Sequence, residues 1–324
     1  MPRHPRPVLL GLTLICVAWM IPALVHAQGD EPKSSDEAKA VYSDAANFQN
    51  NQSFDLAVED WEKFLTRFPK DPLAAKATNY AGVCYLQLKQ FEKAAEKFSA
   101  VVTSYPKFEL AEEAHLNWGW SLYSAALGAS DPAKAKPLFE KAITALEGMV
   151  ESRRDGKLLD QANFFCGESY YRLGEKEKAI ATYAKVVNDY PTSKLRREAI
   201  YALGVAQEET QKYPEAIATY DKLLAEAKEG DLSLEVRLRR ADCLLQKGDA
   251  PGAEAQFAVL AAAKGFAQAD FALQRQAVAA SRQQKNVVAG QLYAKLAETF
   301  PKSAFASDAL LNSGRAFYLS LIHI

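Results

Sequence analysis

The chain has 324 residues, 39 basic against 40 acidic side chains, a formal charge of −1 and 49% hydrophobic residues. That length exceeds a single ordinary core, and the near-neutral balance lacks the basic face that nucleic acid requires. Four cysteines, the first at Cys16 inside an apolar run, are too few and too scattered for a disulfide framework or a zinc site.

The N-terminus places Arg3 and Arg6 ahead of an apolar run from Val8 to Val25, then Val25-His26-Ala27 before Gln28. Positive flank, apolar stretch and small residues at a polar boundary are the parts of a secretory signal, so residues 1–27 are expected to be cleaved and the mature protein exported to the periplasm. An uncleaved anchor is the alternative, since such a run can nearly cross a bilayer with the arginines inside. Cleavage would remove two arginines and no acid, leaving a charge of −3. Residues 28–36 read as a polar linker.

From there one pattern is copied along the chain. Seven alanines are each followed four residues later by an aromatic: Ala57 and Trp61, Ala94 and Phe98, Ala135 and Phe139, Ala179 and Tyr183, Ala216 and Tyr220, Ala253 and Phe257, Ala289 and Tyr293. Successive alanines lie 37, 41, 44, 37, 37 and 36 residues apart. A period of that size signals a repeat architecture. Twelve residues before most of them a small residue recurs at Ala45, Gly82, Gly167, Gly204, Ala241 and Ala277, with Gly119 sixteen before Ala135. Three residues after the small position come Phe48, Tyr85, Leu122, Tyr170, Gln207, Leu244 and Ala280. Prolines 69, 106, 191 and 301, each preceded by an aromatic, close the copies. Spacings of three and four put these landmarks on helix faces, so each copy predicts helix, short turn, helix, stop.

The third repeat departs from the rest. Four extra residues fall within 125–132, Glu147 stands where a proline is expected, and the charged link 151–157 is long. The break reads either as a hinge or as a tolerated surface loop. The fifth and sixth repeats carry Lys228 and Gly265 at the proline position, so their second helices are expected to run on or fray.

Small residue, aromatic three on, alanine twelve on, aromatic four further and closing proline resemble the tetratricopeptide repeat over residues 37–318. The resemblance implies an all-α fold, an α-solenoid of stacked antiparallel helix pairs wound into a right-handed superhelix whose first helices line a concave face. On that face the groove candidates are Leu116, Trp120 and Tyr123 in the third repeat, Phe164, Glu168, Tyr171 and Arg172 in the fourth, and Tyr201 and Glu208 in the fifth. Aromatics and arginine carry much interface energy, although packing between neighbouring first helices would explain the same aromatics. A basic clamp for a C-terminal carboxylate is not evident.

Export together with the aromatic-Pro junction followed by alanine, as in Tyr105-Pro106 to Ala111, is similar to bacterial envelope repeat proteins of the outer-membrane assembly factor (BamD) and Tol-Pal-associated (YbgF) kinds. That resemblance implies a periplasmic scaffold binding protein or peptide partners of the cell envelope, without cofactor or metal. A lipid-attached cysteine and a trimerising coiled coil, which mark the two kinds, are lacking here.

Catalytic signatures are absent from the sequence: there is no phosphate loop, dinucleotide fingerprint, His-Glu-x-x-His or nucleophile elbow, and beyond the leader only His115 and His323 remain. The expectation is a non-catalytic protein. A membrane-anchored chaperone accessory and the binding part of a larger enzyme are the alternatives. Gly314 and Phe317 open an eighth repeat, and residues 319–324 read as a doubtful, non-native tail on a truncated chain.

Overall fold

The computed structural model describes residues 33–226 and 231–322. The signal-like segment, most of the 28–36 linker, Lys228 and the last two residues of the 319–324 tail lie outside the described residues. The described residues form fifteen α-helices and no strand: α1 (Asp36–Asn50), α2 (Phe54–Arg67), α3 (Ala74–Gln87), α4 (Phe91–Ser104), α5 (Ala111–Gly128), α6 (Pro132–Ser152), α7 (Leu159–Arg172), α8 (Lys176–Asp189), α9 (Arg196–Glu209), α10 (Tyr213–Glu226), α11 (Asp231–Lys247), α12 (Ala250–Ala261), α13 (Ala269–Arg282), α14 (Asn286–Thr299) and α15 (Ala306–Ile322). Odd-numbered helices are the first helices of the repeats and even-numbered ones the second. The all-α solenoid of hairpins is the fold that the periodicity predicts.

The periodic residues build each hairpin. Ala57, Ala94, Ala179, Ala216, Ala253 and Ala289 are fully buried, and so are Trp61, Phe98, Tyr183, Tyr220 and Phe257 one turn later. The small residue of the first helix lets that ring approach: a Cβ on Gly204 would lie 2.5 Å from the Tyr220 ring. Rings seated directly on backbone draw the two helix axes together, as close helix packing requires.

The turn between the helices is equally regular. Gln52, Lys89, Gly174, Gln211, Gly248 and Gln284 all take positive φ just past the first helix. The amide two or fewer residues on then donates back to the carbonyl three after the small residue, as in Gln90 N to Tyr85 O at 2.9 Å and Lys212 N to Gln207 O at 2.8 Å. This left-handed cap satisfies carbonyls that a helix end would otherwise leave bare. The chain reverses and an antiparallel partner follows.

Where a proline closes a hairpin, it acts as the sequence predicts. Phe68, Tyr105 and Phe300 cap α2, α4 and α14 immediately before Pro69, Pro106 and Pro301. A hydroxyl or carboxylate two residues after the proline then turns the chain: Ser193 Oγ donates to Asp160 at 2.6 Å and accepts from Leu195 N at 3.0 Å, and Ser303 bridges Asp270 and Phe305 N in the same way. In the sixth repeat, the expected run-on does not occur. Helix α12 stops at Ala261, four residues before the proline position at Gly265, whereas α2, α4 and α14 stop two before their prolines. The helix end is therefore shortened, as fraying would have it, and Gly265 at φ +78° lies in the link that follows.

The chain divides after Asp131 into two compact units. The N-terminal unit holds α1 to α5 and the C-terminal unit α6 to α15, so the division falls inside the third repeat, at the insertion. Within each unit every helix packs on its neighbours in sequence, and α11 also meets α13. Helix α6 runs for 21 residues to Ser152 and corrects the expected register of the third repeat. Its fully buried pair is Ala142 and Leu146, 37 residues before Ala179 and Tyr183, rather than Ala135 and Phe139. Glu147 therefore follows the buried position, where it accepts from Tyr170 Oη as Glu62 does from Tyr85, instead of standing at the proline position.

Candidate partner-binding faces

In the N-terminal unit, the first-helix face of α5 carries Leu116, Trp120 and Tyr123. Leu116 and Tyr123 are buried, while Trp120 is half-buried and meets Phe91 edge-on at 5.9 Å. On α3 of the same unit Asn79 is 5% exposed, and its Oδ1 has no hydrogen-bond partner. A buried amide oxygen left unpaired costs free energy.

In the C-terminal unit the fourth and fifth repeats supply the other candidates. Phe164 is 1% exposed and packs on the Tyr183 ring at 6.1 Å; Glu168 is buried and accepts from Tyr183 Oη at 2.6 Å. Tyr201 is 3% exposed, and its hydroxyl donates to Glu235 on α11 at 2.6 Å. These three serve the packing of helix on helix. Tyr171 and Glu208 are half-buried and Arg172 is exposed, so these side chains are reachable from outside.

Glu208 belongs to a polar ladder. It accepts from Tyr220 Oη at 2.8 Å and pairs with Arg239 Nη1 at 3.3 Å, while Arg239 Nε reaches Glu235 at 3.3 Å and its guanidinium lies 5.8 Å from the Tyr201 ring centre. Burial pushes the Glu208 carboxyl above its usual range, with Arg239 opposing the shift. On α13, Arg275 continues the series to Asp242, donating through Nε at 2.6 Å. The repeat landmarks alone missed this ladder, because it joins different repeats through positions whose residue type changes from copy to copy.

One signal was present in the sequence. The residue twelve before the buried ring is polar where the ring has a polar tip and leucine where it does not: Gln49 for Trp61, Glu208 for Tyr220 and Ser281 for Tyr293, against Leu86 for Phe98 and Leu245 for Phe257. Trp61 Nε1 donates to Gln49 at 3.0 Å, and Tyr220 Oη donates to Glu208 at 2.8 Å. A buried hydroxyl or indole N–H needs its partner, and a phenyl ring does not. Tyr183 is the exception, using Glu168 one turn away.

Cys84, Cys166 and Cys243 are buried, free thiols on first helices. Burial pushes the first two up to about 12. Among the described residues no three His, Cys, Asp or Glu side chains gather to hold a metal, and no helix is long and apolar enough to cross a membrane.

Two sequence profiles, both described as tetratricopeptide repeat, match residues 37–107 and 201–268 and residues 167–193, together just over half of the chain. The chain belongs to the tetratricopeptide-repeat family. The divergent third repeat falls between the matched segments. No curated protein matches. Among solved structures, a tetratricopeptide repeat protein from Parabacteroides merdae shares 14% identity at a TM-score of 0.50, over 86% of this chain and 99% of that one. The C-terminal part of a TPR repeat-containing protein from Cytophaga hutchinsonii shares 19% at 0.59, over 82% and 98%. A chain in the structure of Naa15/Naa10 bound to HypK-THB shares 12% at 0.53, over 86% of this chain and 39% of that one. At these identities the likeness is one of fold.

Proposed function

We propose that this tetratricopeptide-repeat protein is a non-catalytic scaffold of the cell envelope, exported to the periplasm, that holds protein or peptide partners on its first-helix faces. The observation that carries this reading is that the first-helix register leaves Trp120 in one unit and Tyr171 in the other half-buried and Arg172 exposed. Aromatics and arginine are the residue types that anchor interfaces. Export rests on Arg3, Arg6, the apolar run and the Ala27-Gln28 boundary. A part in outer-membrane protein assembly or envelope maintenance follows from the aromatic-Pro junctions shared with envelope repeat proteins.

Photo-crosslinking in cells tests the scaffold. A photoreactive residue at Trp120 or Tyr171 is expected to capture a discrete envelope protein, whereas one at Val259, 63% exposed on the second helix α12, is not. Equal capture from all three positions, or none, would remove the first-helix face as the site. N-terminal sequencing is expected to begin at Gln28; a start at Met1 would replace export with anchoring.

A further inference from the structure

The link from α12 to α13 departs from the earlier ones, and a cavity lies beside it. Leu73, Leu110, Leu158 and Leu195 cap α3, α5, α7 and α9, whereas Gln268 caps α13. The residue before the cap is Pro72, Glu109, Lys157 or Lys194 in those links and Ala267 here. The apolar cap is thus lost and the side chain beside it is smaller. Between this link and the next, an open cavity of about 460 Å³ is lined by Phe266, Ala267 and Asp270 on one side and by Phe300, Pro301 and Lys302 on the other. That volume lies in the range of small-molecule sites. Both walls are complete links, one from α12 to α13 and one from α14 to α15.

The cavity combines apolar walls with one unmatched charge. Phe266 packs against the buried cluster that holds Phe257, and Phe300 against the one that holds Tyr293, so both rings are fixed from behind. Asp270 is committed to the chain reversal: Oδ1 accepts from Phe271 N at 2.7 Å and Oδ2 from Ser303 Oγ at 2.5 Å. Lys302 is exposed, and among the described residues it has no ion-pair partner. Its ammonium is the charge left for a ligand to neutralise.

We propose that this cavity binds a small aromatic carboxylate, with the ring against Phe266, Phe300 and Pro301 and the carboxylate on Lys302 Nζ. Contact between rings supplies the apolar part of the binding, while the ammonium selects an anion and orients it. The site is separate from the first-helix faces assigned above and takes a different class of ligand. A free acid and the C-terminal residue of a polypeptide ending in phenylalanine carry the same chemistry.

Ligand-observed NMR with hydrocinnamate tests the site. The acid is expected to bind, hydrocinnamamide to bind about fivefold more weakly, and propionate, which has no ring, at least about tenfold more weakly. Lys302→Met is expected to bring the acid down to the affinity of the amide and to leave the amide unchanged, whereas a merely structural role would move both. Ala267→Phe, at an exposed position, fills the cavity and is expected to weaken acid and amide alike by at least about tenfold. Circular dichroism checks that both variants remain folded. Tighter binding of the tripeptide Gly-Gly-Phe than of hydrocinnamate would assign the ligand to a chain end, and the reverse order to a free acid. No binding of the acid at about 10 mM, equal binding of acid and amide, or variants that bind as the parent does would overturn the proposal.

Discussion

At the residue scale, the contest between helix propensity and close packing decides the glycines. Alanine is favoured over glycine within a helix by about 1 kcal/mol. At Gly204 the added methyl would sit 2.5 Å from a buried tyrosine ring, and overpacking costs about 1–3 kcal/mol. Gly204→Ala is therefore expected to lower stability by about 1 kcal/mol in urea titration, while Gly148→Ala on α6, with open space around it, raises it by about 0.5–1 kcal/mol. If both changes stabilise, the ring does not rest on the glycine as described.

The thiols give a second test at this scale. Cys84 and Cys166 titrate near 12 in the fold against 9.0 unperturbed, because burial disfavours the thiolate. A raised folded value contributes stability below the unfolded pKa and loses it as pH rises toward the folded one. The stability curve is thus expected to be insensitive to these groups up to about pH 9 and to fall between pH 9 and 12. Native protein comprising residues 28–324 is expected at pH 8 to show no thiol reactive to a disulfide reagent, and urea to release all three. Reactivity before unfolding would show that a first helix opens locally.

At the scale of elements, helices are held in two ways. Apolar contact within a hairpin is repeated in every copy, whereas the link from one first helix to the next differs from place to place. Between α9 and α11 that link is Arg239, its side chain 9% exposed and shared by Glu208 and Glu235. Removing one member of a buried ionic group leaves the others uncompensated, so Arg239→Met is expected to cost about 3 kcal/mol. Adding Glu208→Gln to Arg239→Met should recover part of the loss, a coupling read from the double-mutant cycle. Simple additivity of the two changes would mean that the pair does not interact.

This element scale also marks how far the sequence could be read. Hairpins, the four proline stops and the buried ring of most repeats were legible because the same chemistry recurs at a fixed spacing, whereas the insertion in the third repeat shifted its buried pair to Ala142 and Leu146. The candidate face was legible only in part. Phe164 and Tyr201 occupy its register positions, yet a neighbouring helix takes up each: Tyr183 packs on the first and Glu235 receives the hydroxyl of the second. Residue type and register give the side of a helix, but the fraction still open depends on the size of residues in the next repeat.

At the scale of the molecule, stability in stacked repeats is a sum of local and neighbour terms, so cooperativity need not span the chain. The two compact units divide after Asp131 in sequence, and all tryptophans beyond residue 27, Trp61, Trp118 and Trp120, lie in the first. Fluorescence therefore reports one unit, and circular dichroism reports both. In urea the two signals are expected to give different midpoints for the mature chain. Coincident curves would show that the insertion at 125–132 does not interrupt cooperativity.

Sequence by itself determined the repeat, its helical hairpins, their stops and the rings at their centres, because each follows from residues near in the chain and recurs at one period. Tertiary structure alone decided which members of the first-helix register stay accessible and how Arg239 joins α9 to α11. Those features depend on residues one repeat or more apart, and burial is a property of what a neighbouring repeat places against a face rather than of the face itself.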